Sequence, residues 1–288
     1  MAVPHPSRPE RPDRPHHAQA PAGLPAWLAL VKAADEPSVR VVEIDGVTCV
    51  IKRRPPGLGR GVSYALRYLR AAALGAGCKA FLGEWPAPGV LVHNGLAHEA
   101  DRLRTLDQAN WRVPHVWSYA PGELVLEYVG DDMPGVLRRA DPQRQHALAC
   151  EIALELAAFH AQGLWHGGAQ VRNLTWHHGQ IWRIDFEENI GSALSLPLAQ
   201  AYDVYQCLSS LVALRGLPDA VAQALGTQLL ETYLSAQHDE AVRAALIRIA
   251  GPVCSAARVL RPVLGWVPGR DVQGFFRVAH SLRLLLKS

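Results

Sequence analysis

The sequence predicts an α+β fold in two lobes, with a small antiparallel-sheet lobe followed by a larger helical lobe. Three observations lead to this prediction. Two β-branched runs flank Asp45-Gly46 within residues 41–52. Apolar residues at helical spacing dominate the chain after Asp141. Between these regions, residues 166–187 read HGGAQVRNLTWHHGQIWRIDFE, which combines a polar loop, a hairpin and a terminal Ile-Asp-Phe-Glu.

Composition narrows the class of protein. A chain of 288 residues with 49% hydrophobic and 19% charged residues fits a globular protein with an ample core. The net charge of +3 is too small to indicate a nucleic-acid partner. Five scattered cysteines without a Cys-x-x-Cys pair predict neither a disulfide framework nor a zinc site, so a cytoplasmic location is expected. No apolar run is long enough to span a membrane.

The first 25 residues differ in composition from the rest. They are rich in Pro, Arg and His and lack the apolar stretch of a signal peptide. Such a segment buries too little apolar surface to offset the entropy of ordering, so residues 1–25 are predicted to be a disordered tail. The remaining chain divides into an N-lobe at 26–128 and a C-lobe at 129–288.

The N-lobe begins with a short helix or leading strand at 27–34. A hairpin follows at 41–52, because Asp45-Gly46 favours a type I′ turn. Strand alternation places Val50 and Lys52 on one face.

An insertion at 53–85 has a middle part with helical spacing, and two interpretations stay open for its arginines (Arg60, Arg67, Arg70). The segment at 60–79 either packs as an amphipathic helix over the small lobe, or its basic face contacts anionic lipid or lipopolysaccharide phosphate. The second interpretation predicts peripheral contact with the inner face of a membrane.

The next elements lead to the C-lobe. A helix carrying Glu99 is predicted at 96–106, and a short buried strand at 124–128 precedes a hinge at 129–132. Asp141-Pro142 marks a helix start, and Gly163 is its predicted stop. Further helices are predicted at 201–214, 220–236, 240–250 and 275–286.

The hairpin in the central motif brings two oxygen-bearing side chains together. Asn173 and Asp185 bracket the strands NLTW and IWRID, which are joined by a turn at 177–180. Pairing of these strands puts both residues at one end of the ribbon. Amide and carboxylate oxygens suit Mg²⁺, so Asn173 and Asp185 are the predicted metal ligands.

These features resemble the protein-kinase-like superfamily over residues 41–214, and most nearly its bacterial branch of lipopolysaccharide core kinases and small-molecule phosphotransferases. The resemblance implies ATP and Mg²⁺ as cofactors. It implies that Lys52 binds phosphate and that Glu99 pairs with Lys52. It also implies a nucleotide site that includes Val50, Glu127 and Tyr128.

The resemblance implies a catalytic group as well. His166 resembles the first residue of a catalytic loop, and Asp185 belongs to both the metal and the catalytic sets. Asp203, in the helix AYDVYQCL, resembles the residue that accepts hydrogen bonds from the loop backbone. Gln170 and Arg172 complete the predicted catalytic set, with Arg172 placed to contact phosphate.

Two departures from the pattern bear on activity. Gly168 stands where such sequences carry the catalytic Asp, and no glycine-rich loop precedes Val41. Gln170 is placed to orient an acceptor hydroxyl, and Glu187 or Glu188 is placed to supply a carboxylate instead.

The sequence therefore predicts an ATP-dependent phosphotransferase acting on a hydroxyl of a sugar, glycolipid or other small molecule. The alternatives are a pseudokinase that binds nucleotide as a regulatory or scaffold module, and an AMP-transferase.

Overall fold

The computed structural model describes residues 17–30, 38–54, 79, 83–86, 95–267 and 269–286. Residues 1–16 of the predicted tail lie outside this description, as do Arg60, Arg67 and Arg70 of the predicted basic surface. Residues 17–25 of that tail have defined positions. The Gly23 N–H donates to Asp45 Oδ2 at 2.6 Å, and Leu24 begins the first helix.

The N-lobe contains a four-stranded antiparallel sheet in the order β1-β2-β4-β3. Its strands are β1 (Ser38–Ile44), β2 (Val47–Arg53), β3 (Val116–Ala120) and β4 (Glu123–Glu127). The predicted hairpin is confirmed. Asp45 (φ 51°) and Gly46 (φ 76°) both have positive φ, as a type I′ turn requires.

A helix covers each face of this sheet. Helix α1 (Leu24–Leu30) closes one face, in a cluster with Ile44, Cys49, Ile51 and Val125. Helix α2 (Leu96–Gln108) closes the other face, where Leu103 packs with Leu124 and Leu126. Alternate strand residues therefore fill two separate cores, and complete burial of each large apolar side chain contributes about 1.5–3 kcal/mol.

The hinge is held against the C-lobe by strand pairing. Strand β5 (Asp131–Asp132) pairs with β6 (Leu174–His177), which pairs with β7 (Gln180–Arg183). Gly130, just before β5, has φ 87°, and a Cβ there would lie 2.2 Å from the Trp176 carbonyl oxygen. Only glycine fits this close approach.

The C-lobe is helical. Its helices are α3 (Met133–Arg139), α4 (Pro142–Ala161), α5 (Leu196–Val212), α6 (Asp219–Ala236), α7 (Glu240–Leu264) and α8 (Arg270–Leu282). Short 3₁₀ turns lie at Val171–Asn173, Ile190–Ala193 and Arg283–Leu286. The predicted start of α4 is confirmed, because Asp141 caps it by accepting the Arg144 N–H at 2.8 Å. Gly163 (φ 73°) follows its end, as predicted.

The fold class is confirmed as α+β, with a sheet-based N-lobe and a helical C-lobe. Helix α7 differs from the prediction, which ended it at residue 250 before Pro252. The helix continues to Leu264 because Cys254 and Ala257 remain in the buried stripe beyond the proline. None of the described helices is both long and apolar enough to cross a bilayer.

Candidate active site

Three predicted site residues meet in the space between the lobes. The Lys52 ammonium, on β2, lies 2.7 Å from Glu99 Oε1 on α2. It also lies 2.9 Å from Asp185 Oδ1, on the loop after β7. The Glu187 carboxylate approaches the same ammonium at 3.8 Å and contacts Arg54. One cation therefore links both lobes through a cluster of carboxylates.

The charges of this cluster depend on burial. Glu99 has no exposed side-chain surface, and burial raises its pKa to about 7 against the opposing effect of Lys52. Burial also lowers the pKa of Lys52, but the charges of Glu99 and Asp185 outweigh it and raise that pKa overall. Burial acts to raise the pKa of Asp185, yet Lys52 holds it below its usual value. Lys52 and Asp185 thus form a charged pair at neutral pH.

The backbone at Asp185 is strained. Its φ of 67° lies in the left-handed region that non-glycine residues rarely adopt. The next residue, Phe186, is buried against Phe159 and stacks on His166 with ring centroids 4.2 Å apart. Packing of Phe186 therefore fixes the turn that aims Asp185 at Lys52, and such strain is typical of functional sites.

His166 positions the loop. Its backbone N–H and that of Gly167 donate to the Asp203 carboxylate at 2.5 and 2.8 Å, as predicted for Asp203. Its ring Nε2–H donates to the Ile184 carbonyl at 3.1 Å, and Nδ1 accepts the Gly168 N–H at 3.1 Å. Burial, with Arg183, lowers its pKa to about 4. The neutral, enclosed ring is placed to hold the loop, and its predicted catalytic role stays a prediction.

Asn173 is held by its amide nitrogen, which donates to the Gly168 carbonyl at 2.7 Å. Its backbone carbonyl accepts the Ile184 N–H at 3.0 Å, so Asn173 and Asp185 lie at one end of the β6–β7 ribbon. The amide oxygen of Asn173 is then the atom left to ligate a cation. Beside it, one carboxylate oxygen from each of Glu99, Asp185 and Glu187 lies within 4.8 Å of the others, and oxygen ligands with excess negative charge suit Mg²⁺.

Glu188 occupies the region that a side chain at position 168 would enter. A Cβ built on Gly168 would lie 3.8 Å from Glu188 Oε2 and 3.5 Å from Asn173 Nδ2. Partial burial, aided by the charge of Asp185, raises the pKa of Glu188, and Arg172 opposes this rise. Of the two glutamates predicted as substitutes, Glu187 is bound to Lys52 and Arg54, and the Glu188 carboxylate lies beside the Cβ position of residue 168.

Gln170 has a different environment from the predicted one. Its amide nitrogen donates to Gln206 Oε1 at 3.0 Å, and Gln206 donates to the Gly167 carbonyl at 3.1 Å. Gln206 on α5 therefore holds both Gln170 and the Gly167 backbone of the loop. Arg172 is exposed beside Glu188 and remains accessible to an anionic group.

The predicted nucleotide residues divide between the two faces of the sheet. Val50 pairs with Leu126 and shares the face of Lys52, as predicted. Glu127 pairs with Cys49, so strand alternation points its side chain to the opposite face. Its carboxylate accepts the N–H groups of Ala18 and His115 at 2.6 and 3.2 Å. A nucleotide contact by Glu127, as predicted, would therefore have to come from its main chain.

Two further residues shape the site. The Tyr128 hydroxyl donates to Asp131 Oδ1 at 3.4 Å, so its ring lies beside the hinge. Arg102, on α2, donates to the Trp165 carbonyl at 2.5 Å and stacks over the Trp165 ring at 4.1 Å. Arg102 therefore ties the N-lobe helix to the residue preceding His166. This role of Arg102 was not predicted from the sequence. The signal that could have indicated it was the position of Arg102 on the helix that carries Glu99.

Comparisons with known proteins found one partial sequence match and distant structural similarities. No protein-family model matches the chain. An uncharacterized protein of Haemophilus influenzae is 32% identical over 97 residues, which cover 33% of this chain and 40% of that protein. The match therefore spans about two fifths of the length of this relative.

Two solved structures share 16% sequence identity with the chain. A MAP kinase of Leishmania major has a TM-score of 0.36 over 91% of this chain and 81% of that one. The Mycobacterium tuberculosis protein Rv3197 in complex with erythromycin has a TM-score of 0.40, over 88% and 72%. The chain's own architecture is a sheet lobe and a helical lobe, joined where Lys52 of the sheet lobe contacts Asp185 of the helical lobe.

Proposed function

We propose that this protein is an ATP-dependent phosphotransferase that acts on a hydroxyl group of a sugar, a glycolipid or another small molecule. One observation carries the proposal: Lys52 Nζ lies 2.7 Å from Glu99 and 2.9 Å from Asp185. This arrangement orients a cation beside a strained carboxylate between the lobes. A polyphosphate requires a fixed positive charge and an oxygen-rich metal site side by side, and these residues supply both.

Each residue has a definite task in this proposal. Lys52 binds phosphate oxygens, and Glu99 keeps its ammonium in place. Asn173 and Asp185 would hold Mg²⁺, which neutralises charge on the phosphates when bound. The loose transition state of phosphoryl transfer makes positioning and charge neutralisation the larger part of catalysis, so the site retains its main contributors.

Glu188 is the proposed acceptor-binding base. Its carboxylate lies beside Gly168, and its raised pKa brings it closer to neutral pH. A carboxylate there would accept the proton of the acceptor hydroxyl as its oxygen attacks the γ-phosphorus of ATP, and the bond from that phosphorus to ADP would break, with ADP as the leaving group. General-base catalysis contributes about 10²–10⁴-fold, which is the rate that Glu188 would restore.

A pseudokinase is the second candidate, and Gly168 is the observation that favours it. A protein that only binds nucleotide has no need for a carboxylate at that place. AMP transfer, which follows from a reversed orientation of ATP, is the third.

One experiment separates the three candidates. The purified protein is incubated with Mg²⁺, an envelope extract and ATP labelled at either the α- or the γ-phosphate. Transfer of γ label is the expected result, with lipopolysaccharide core sugar as the first acceptor to test. Transfer of α label would identify an AMP-transferase, and saturable ATP binding without transfer a pseudokinase.

Two variants control this experiment. Asp185→Ala is expected to abolish transfer, because it removes a carboxylate that contacts Lys52. His178→Ala, on the exposed β6–β7 turn, is expected to leave transfer unchanged. Transfer that survives Asp185→Ala would show that the site is elsewhere.

A further inference from the structure

We propose that His17, Asp107 and His115 form a binding site for a divalent transition-metal cation of the Zn²⁺ type, outside the cleft between the lobes. The three residues come from the N-terminal segment, the end of α2 and the start of β3. Nothing in the proposed phosphotransfer requires them, so the site stands independently of the proposed function.

The side chains already converge as ligands must. His17 Nε2 lies 2.9 Å from Asp107 Oδ1, and His115 Nδ1 lies 2.7 Å from Asp107 Oδ2. One ligand atom from each residue lies within 4.8 Å of the others. Zinc binds imidazole nitrogen and carboxylate oxygen at about 2.0–2.2 Å, so neighbouring ligand atoms around it lie about 3.3 Å apart. A small adjustment of the present positions therefore admits the ion.

The second ring nitrogen of His17 supports a ligand role for the first. His17 Nδ1 lies 2.5 Å from Glu127 Oε2 and donates to that carboxylate. Nε2 is then the ring nitrogen left to face a metal, and it already lies 2.9 Å from the second ligand, Asp107 Oδ1. A histidine that binds a metal usually donates its other ring N–H to a carboxylate, which orients the ring and increases its basicity.

Glu127 is itself fixed in place. It accepts the Ala18 N–H at 2.6 Å and the His115 N–H at 3.2 Å, so the outer carboxylate is tied to the backbone beside both histidine ligands. The His115 side chain is 46% exposed, which leaves an approach for the ion and for a water molecule as fourth ligand.

The site lies at the junction of the lobes. The His17 ring packs edge-on against Trp182 of β7 in the C-lobe, with ring centroids 5.7 Å apart. Its partner Glu127 ends β4 immediately before the hinge. A bound ion would therefore fasten the N-terminal segment across the back of the hinge.

A proton on His17 competes with the metal ion for this site. An imidazolium at His17 would bridge Glu127 and Asp107 as a salt bridge and leave no lone pair for a metal. A titration with metal distinguishes the two, because only the metal site gives stoichiometric binding at neutral pH.

The test uses the full chain without an affinity tag, stripped with a chelator. Titration with Co²⁺ is expected to give visible absorption of tetrahedral intensity that saturates at one equivalent, and Zn²⁺ is expected to displace it. Asp107→Asn and His115→Ala are each expected to weaken binding at least 10-fold. Glu127→Gln is expected to weaken it 10–100-fold through the loss of the outer carboxylate.

Controls make each outcome decisive. His178→Ala, an exposed histidine on the β6–β7 turn, is expected to bind as the wild type does. Zn²⁺ is expected to slow proteolysis of the N-terminal segment in the wild type and not in Asp107→Asn. Circular dichroism of the metal-free variants checks their folding, and Glu127→Gln replaces any variant that does not fold. Absence of one-equivalent binding, or equal affinity in the wild type, Asp107→Asn and Glu127→Gln, would overturn the proposal.

Discussion

The Lys52 ammonium lies 2.7 Å from the Glu99 carboxylate, which has no exposed surface. The pair joins β2 to α2 and lies against Asp185 of the C-lobe. A buried pair of this kind is sensitive to loss of one partner, because the remaining charge stays in a place that water does not reach.

Replacement of Lys52 by Met is therefore expected to reduce the free energy of unfolding by about 3 kcal/mol and to abolish ATP binding. The double variant Lys52→Met/Glu99→Gln is expected to recover part of the stability without ATP binding, since the fully buried Glu99 carboxylate is no longer left without its partner. Urea unfolding measures the first quantity and calorimetric ATP titration the second. A double variant as unstable as the single one would show that packing, and not charge, dominates.

The depressed pKa of His166 predicts acid sensitivity. Burial, with Arg183, lowers this pKa from 6.5 to about 4 in the folded protein. Between these values the unfolded chain binds a proton that the folded chain does not, so stability is lost as pH falls from 6.5 to 4. The loss is roughly 3 kcal/mol at the acidic end, at 1.36 kcal/mol for each pKa unit.

The variant His166→Gln isolates this contribution, because glutamine does not titrate. The wild type is expected to lose more stability than the variant between pH 7 and pH 4, measured by urea unfolding at each pH. Parallel pH profiles would contradict a depressed pKa at His166.

Local patterns made the elements predictable. Asp45-Gly46 specifies its turn through backbone sterics, and Asp141-Pro142 specifies a helix start through a side-chain cap. These signals act within a few residues and do not depend on tertiary context. Strand β3 and helix α3 were missed, because β3 is only partly buried along its length and α3 spans two turns.

The candidate site was only partly predictable from the sequence, because its geometry depends on contacts between residues that are far apart in the chain. Lys52, Glu99 and Asp185 lie in recognisable patterns, and the structure brings them together. The choice between Glu187 and Glu188 depends on which way each side chain turns after the strained Asp185, and no sequence pattern encodes that. The orientation of Glu127 follows from its register with Cys49, which requires the pairing of β2 with β4.

Gly130 and Gly46 form a matched pair for testing how the hinge docks. Both have positive φ, but a Cβ on Gly130 would meet Trp176 O at 2.2 Å, and a Cβ on Gly46 meets no atom of the described residues within 4 Å. Gly46→Ala is expected to reduce stability by about 1–2 kcal/mol through backbone strain alone. Gly130→Ala is expected to lose at least twice as much in urea unfolding, because the hinge must also move away from β6. Equal losses would mean that the close contact does not hold the hinge.

Gly168 and Glu188 allow the proposed base to be exchanged between two positions. Among the described residues, a Cβ on Gly168 makes ordinary contacts of 3.5 Å and longer, so the first atom of an aspartate side chain is accommodated there. Glu188→Gln is expected to lower the rate of phosphate transfer by about 10²-fold or more, with ATP affinity unchanged. Gly168→Asp in the Glu188→Gln background is expected to restore most of that rate, because a carboxylate returns to the same place.

The single variant Gly168→Asp supplies the complementary test. It places a second carboxylate beside Glu188, and repulsion between like charges is expected to raise the pKa of the pair. The pH–rate profile of this variant should therefore shift to higher pH than that of the wild type. A full wild-type rate in Glu188→Gln, measured with γ-labelled ATP, would show that Glu188 takes no part in proton transfer and that positioning and charge neutralisation at Lys52 and Asp185 suffice.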